Sequence, residues 1–216
     1  MKLLFIGNSA THVHDIPNLL ATLTKPLGIS LETEMITEDG YELYRHADTE
    51  SVFEKISRAY DMVFLQEHGN CIASEENAEK SLKAMQKLGN AVQSSGAKLY
   101  YYVRPPYGKE NRGRDAFMQC KLFDEHFKKS AEQTGAECVF VNRSFAYAIK
   151  NCNLRLWGDD NAHASIIGAH LIVFTFFASL FKKSARLLNS EKITEEEAEK
   201  LAEIADKIAL DGTVPW

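Results

Sequence analysis

Short apolar runs alternate with helix-like segments along this chain, and that alternation limits the folds open to it. Residues 3–6, 31–36, 62–65, 99–103 and 138–141 read as five strands. Several of these runs are continuously apolar, whereas a strand wet on one face would alternate apolar with polar residues. Continuity means burial on both faces, the condition of a parallel sheet covered by helices. Parallel neighbours need long crossovers, and those crossovers are right-handed. The expected fold is therefore α/β: three layers, α/β/α, around a five-stranded parallel sheet of the flavodoxin-like kind. At 216 residues the chain fits one such domain, 1–216, with no repeat, linker or low-complexity segment.

The helical segments carry their own boundary signals. Asp15 followed by Ile16-Pro17 starts a helix, because a proline in the first turn forfeits no intrahelical hydrogen bond, and Gly28 ends it. Ser74 opens the next, with Glu75, Glu76 and Glu79 in its first turns, where the helix dipole favours anions. Its expected buried stripe is Ala78, Leu82, Met85, Gly89 and Val92, and Gly96 is its exit. A further helix is expected over about residues 114–133, before Gly135. Thr194-Glu195-Glu196-Glu197 is a capping box opening a last helix, which buries Leu201, Ile204, Ala205 and Ile208. Residues 164–181 are apolar enough to suggest a membrane span. Ser165, His170, Thr175 and Ser179 interrupt them, however, and the apolar core falls short of the ~20 residues a bilayer needs. They are expected to form a helix buried under the sheet.

A net charge of −5 supplies no concentrated basic surface, so no nucleic-acid partner is expected. The one basic cluster, Lys109, Arg112 and Arg114, lies in a loop. It reads as solvated or as a rim that attracts an anionic substrate group. The first apolar segment stops at Gly7, too short for a secretory core. Cys71, Cys120, Cys138 and Cys152 show neither CxxC spacing nor metal-like clustering, which points to reduced thiols and a cytoplasmic protein.

In open parallel sheets the ligand site lies beyond the carboxyl ends of the strands. Ser9 occupies that place after the first strand, and the loops 38–44, 66–72 and 104–113 share the edge. Near the other end of the chain, Asp160-Asn161-Ala162-His163 puts a carboxylate and an imidazole in one loop. A serine hydroxyl attacks a carbonyl only when a base takes its proton. Histidine does so near neutral pH, and a carboxylate fixes its tautomer and stabilises its charged form. Ser9, Asp160 and His163 are the candidate catalytic residues. Ser9 is followed by Ala10-Thr11, so the Gly-x-Ser-x-Gly elbow of α/β-hydrolases is missing.

With those stretches in view, the chain resembles the SGNH (GDSL-type) hydrolase superfamily of esterases and acylhydrolases, from Leu3 to about Leu171. Phe5-Ile6-Gly7-Asn8-Ser9 matches the family's first block, with Asn8 where Asp is usual. Asp160-x-x-His163 matches the last, followed by Ser165-Ile166-Ile167-Gly168. The resemblance implies Ser9 as nucleophile, His163 as base and Asp160 as its orienting acid. It also implies an oxyanion hole made by the amides of Ser9 and Gly40 and one side chain. The third block departs from Gly-x-Asn-Asp: here Leu65 is followed by Gln66-Glu67-His68-Gly69-Asn70, a Leu-Gln-Glu variant. Position puts His68 first as the donor, with Gln66 and Asn70 as alternatives. The implied reaction is cleavage of a small-molecule carboxylic ester, acetyl esters included, with no cofactor or metal. Substrate identity and oligomeric state stay open.

Two other readings compete. His12-Val13-His14-Asp15 has metal-site spacing, and a metal-dependent hydrolase could draw further ligands from His46, His68 or His163. A flavodoxin-like binding domain could hold a phosphate-bearing ligand at the turn 7–11. Arg104-Pro105-Pro106-Tyr107 reads as a rigid loop or as a substrate wall with Arg104 and Tyr107 as polar contacts. Trp157 is expected to pack the catalytic loop or line the acyl pocket, and His126 and His170 to be packed or surface residues.

Overall fold

Five strands, β1 (Lys2–Gly7), β2 (Glu32–Thr37), β3 (Met62–Leu65), β4 (Lys98–Tyr102) and β5 (Glu137–Val139), form one sheet in the order β2-β1-β3-β4-β5. Every pairing is parallel, with Phe5 beside Met35 and Phe64, Phe64 beside Tyr100, and Tyr101 beside Cys138. The structure is a computed structural model that describes residues 1–111 and 113–216, and Arg112 of the basic cluster lies outside the described residues.

Successive residues of the inner strands feed two separate cores, as the continuous apolar runs require. Leu3, Phe5, Phe64, Tyr100 and Tyr102 face one layer, built from α2 (Ile16–Thr24), α7 (Val141–Asn151), α8 (Ile166–Phe181) and α9 (Glu195–Ala209). Leu4, Ile6, Val63, Leu65, Leu99 and Tyr101 face the other. That layer is built from α3 (Leu43–Ala47), α4 (Glu50–Ile56), α5 (Glu75–Ser94) and α6 (Ala116–Thr134). In the first layer Phe5 stacks on Phe64 at 4.5 Å and Phe64 on Tyr100 at 5.1 Å, and Phe176 of α8 packs across all three strands. Truncating a ring such as Phe64 costs about 3–5 kcal/mol.

The boundary signals work as chemistry. Asp15 accepts from the Asn18 amide at 3.4 Å, Ser74 from Asn77 at 3.2 Å, and Thr194 and Glu197 close the capping box. Residues 164–181 become α8, buried from Gly168 to Ala178; its cap, Ser165, accepts from the Gly168 amide. Gly168 has to be glycine, because a Cβ there would collide with the Leu156 carbonyl oxygen. Among the described residues no helix is long and apolar enough to cross a membrane.

Two expectations shift. The run 138–141 serves two elements: β5 ends at Val139 and Val141 already begins α7, so apolar continuity overran the strand. The stripe of α5 is rotated. Ser81, Ala84, Met85, Leu88, Gly89 and Val92 are buried, while Ala78 and Leu82 are half-buried, because the polar Ser81 turns inward to meet His126 at 2.9 Å.

Candidate active site

The strand order changes direction between β1 and β3, so their carboxyl ends bound a crevice. Both sides of it are tied together. Gln66, just past β3, accepts through Oε1 from the Asn8 amide at 2.9 Å and from the Thr11 hydroxyl at 3.0 Å. Its Nε2 donates to the Glu67 carbonyl at 2.6 Å. This close crossing explains Gly7, where a Cβ would stand 2.5 Å from the Gln66 oxygen. Asn8 is buried, accepts from the Ala10 amide at 3.1 Å and donates to the Tyr41 carbonyl at 2.8 Å. It thus caps the short helix α1 (Ser9–His12) and holds the loop after β2, work that needs an amide side chain and not an acid. His46 donates through Nε2 to the Gly7 carbonyl at 2.8 Å. Ser9 is the first residue of a turn fixed on every side.

The loop 160–163 is short and self-bonded. Asp160 Oδ1 accepts from the Ala162 amide at 2.9 Å and the His163 amide at 3.0 Å, and Oδ2 accepts from His163 Nδ1 at 2.6 Å. These bonds, the Ala162 amide foremost, hold the Asp160 carboxyl well below the usual carboxylate range. Nδ1 therefore carries a proton and Nε2 is the basic nitrogen. Three distant groups anchor the loop. Trp157 Nε1 donates to the Pro106 carbonyl at 3.0 Å, the Gly108 amide to the Asn161 carbonyl at 2.8 Å, and His14 Nε2 to the Ala164 carbonyl at 2.7 Å. Trp157 thus packs the loop in place, against Phe145 on its inner side.

Ser9 and His163 open on one cavity of about 140 Å³, which His68, Arg104 and Tyr107 also line. The bonds of His163 run to Asp160, not to Ser9. Catalytic contacts of this type are commonly long before substrate binds. His68 accepts the Asn70 amide at Nδ1, 3.2 Å away, so its proton sits on Nε2, which lies 3.3 Å from the Tyr107 hydroxyl. Burial, helped by the charge of Arg104, lowers His68 to about 4 and keeps the ring neutral. Beneath it, Glu67 accepts through Oε1 from the amides of Leu43 at 2.8 Å and His68 at 2.7 Å, while Oε2 is buried without a partner. Burial raises Glu67 to about 7 against the pull of those two amides.

The remaining expected residues lie outside that cavity. Gly40 is exposed at a left-handed turn (φ 67°), next to the Tyr41 that Asn8 holds. Gln66 is engaged under the Ser9 turn. The Asn70 backbone is bonded to His68 and to Asn77. The imidazoles of the metal reading diverge, His12 to Asp39 at 3.0 Å and His14 to the Ala164 carbonyl. Among the described residues no three His, Cys, Asp or Glu side chains group as metal ligands. His126 and His170 are packed, on Ser81 and Ser190 respectively. Sequence reasoning assigned nothing to Glu67 and considered His14 only as a metal ligand in a competing reading. Glu67 carried a weak signal, an acid directly after a buried strand. His14 carried none, since its partner is 150 residues away.

No protein-family model and no curated protein matches the sequence. Solved structures match the fold. A DUF4886 family protein from Bacteroides uniformis aligns with a TM-score of 0.82 at 17% identity, over 99% of this chain and 96% of its own. A candidate SGNH hydrolase from Slackia heliotrinireducens aligns at 0.66 and 23% identity, over 80% and 95%. A tryptophan variant of Axe2, an acetyl xylan esterase from Geobacillus stearothermophilus, aligns at 0.57 and 19% identity, over 82% and 92%.

Proposed function

We propose that this protein is a serine esterase or acylhydrolase that cleaves a small carboxylic ester, an acetyl ester foremost, through an acyl-enzyme. The observation that carries this reading is that His163, bonded to Asp160 through Nδ1, shares a 140 Å³ cavity with Ser9 at the switch point of the sheet. Ser9 Oγ attacks the ester carbonyl while His163 Nε2 takes its proton. Asp160, ionised, steadies the imidazolium that results. The oxyanion is met by the Ser9 amide and by His68 Nε2–H; Gly40, which the resemblance implies as a further donor, lies outside the cavity. His68 is ranked above Gln66 and Asn70 because it is the one of the three that lines the cavity. A neutral ring is a donor that brings no extra charge into the site. Losing one such donor typically costs about 3–4 kcal/mol of barrier. His163 then passes its proton to the leaving alcohol, and water releases the acyl group by the reverse path. The small cavity and the fold shared with an acetyl xylan esterase both favour a short acyl group. No step calls on a metal or cofactor. Cytoplasmic residence belongs to the same proposal and rests on four unpaired cysteines.

The test is direct. Wild-type protein should turn over p-nitrophenyl acetate and take one equivalent of an organophosphonate on Ser9, and Ser9→Ala should lose both. Undiminished turnover by Ser9→Ala would end the reading.

A further inference from the structure

The described residues include two buried arginines, and they are treated differently. Arg143, 7% exposed, pairs with the Asp124 carboxylate at 2.5 Å. Arg104 is 3% exposed and has no carboxylate partner among the described residues. Its Nε donates to the Pro105 carbonyl at 2.9 Å. Its guanidinium lies 4.4 Å from the centre of the Tyr107 ring and 5.9 Å from that of Phe123, which fixes the plane of the fork. The terminal nitrogens have no hydrogen-bond partner among the described residues, and Arg104 lines the cavity that Ser9 and His163 share. Glu67 does not serve as its counter-ion: its Oε1 is taken by the amides of Leu43 and His68, and its Oε2 has no partner.

A cation removed from water and left unpaired is unfavourable unless something else brings the opposite charge. Here the opening faces the reacting groups. We propose that Arg104 is an anion-recognition site within the active cavity, and that the ester this protein acts on carries a carboxylate. The proposal rests on the esterase reading of Ser9 and His163 and adds the class of substrate. A planar fork with two free N–H edges matches a carboxylate through paired hydrogen bonds. A doubly charged phosphate would exceed the single cation that lines the cavity among the described residues. The carboxylate sits on either the acyl or the alcohol part, and the test has an arm for each.

For the alcohol arm, kcat/KM is compared for meta-acetoxybenzoate and meta-acetoxybenzamide, each normalised to its hydroxide-catalysed rate. For the acyl arm, p-nitrophenyl hydrogen adipate is compared with p-nitrophenyl hexanoate. Wild-type protein should favour the charged ester by about tenfold or more in one arm, the usual scale of a charge-assisted pair. Arg104→Gln should bring that ratio close to one, and Arg104→Lys should keep part of it, which also checks that the loop still folds. Equal rates in both arms, with the neutral esters turned over, would overturn the proposal. So would a preference that survives Arg104→Gln, or an equal fall for both esters, which would make Arg104 part of the oxyanion site. If no ester is turned over, the esterase reading fails separately. Calorimetric titration of Ser9→Ala with meta-acetoxybenzoate at low and high salt then decides the anion site. Binding lost in the Ser9→Ala, Arg104→Gln double variant supports it, and no salt-sensitive binding overturns it.

Discussion

Asp160 and Glu67 both lie by the cavity at Ser9, and their surroundings shift them in opposite directions. The Asp160 side chain is half exposed, in a loop whose bonds are local, and two amides and an imidazole hold it ionised. Glu67 is buried under His68, bonded to the amides of that neighbour and of Leu43, 24 residues earlier, and burial holds its proton up to about 7. The contrast separates two tasks. On the proposed mechanism, charge is kept beside His163, where a positive imidazole would be stabilised in the transition state, and is held down beneath the proposed oxyanion donor, where a second anion would oppose the negative oxygen.

The largest expected effects fall on the charged side. His163→Ala should lower kcat for p-nitrophenyl acetate by roughly four orders of magnitude, because base and acid are lost together. Asp160→Asn tests the charge alone. Its Oδ1 can keep the two amide bonds, but its Nδ2 would face Nδ1 and drive the imidazole to the wrong tautomer. A fall of roughly 10²–10⁴ in kcat, with a cooperative unfolding transition retained, is expected. A fall below tenfold would mean that solvent can replace this exposed carboxylate. On the neutral side, His68→Ala should cost roughly 10²-fold in kcat, with KM for the aryl ester little changed. An unaffected kcat would remove His68 from the oxyanion site.

The two sides also differed in how far sequence alone could reach. The acid–base loop was readable because its bonds join residues two and three positions apart, so Asp-x-x-His holds most of its geometry. The sheet was readable because runs such as Leu3-Leu4-Phe5-Ile6 have to feed two cores at once. The floor was not. Gln66 looked like a donor to substrate and proved to be the brace beneath Asn8, 58 residues away. His14 looked like a metal ligand and proved to clamp the loop next to His163. Contacts of such separation leave no periodic trace. Val141 failed for another reason: the apolar side chain that closes a strand is equally suited to open the helix after it.

The smallest expected effect isolates Glu67 by its sign. Its folded value of about 7 lies above the ordinary 4.5. Between those values the native state binds more protons at this site than the unfolded chain does. This residue's contribution to stability therefore falls as pH rises from about 4.5 to about 7, and levels beyond. Asp160 acts oppositely: its contribution is present above the ordinary carboxylate range and is lost on acidification. Glu67→Gln keeps an oxygen for the Leu43 and His68 amides but has no proton to lose. Urea unfolding of both proteins at matched pH cancels every group they share. The Gln variant should gain on wild type as pH rises across that window, by an amount on the order of 3 kcal/mol. A difference that stays flat with pH would mean that Glu67 is ionised in the native state throughout, and that the floor of the site carries a charge after all.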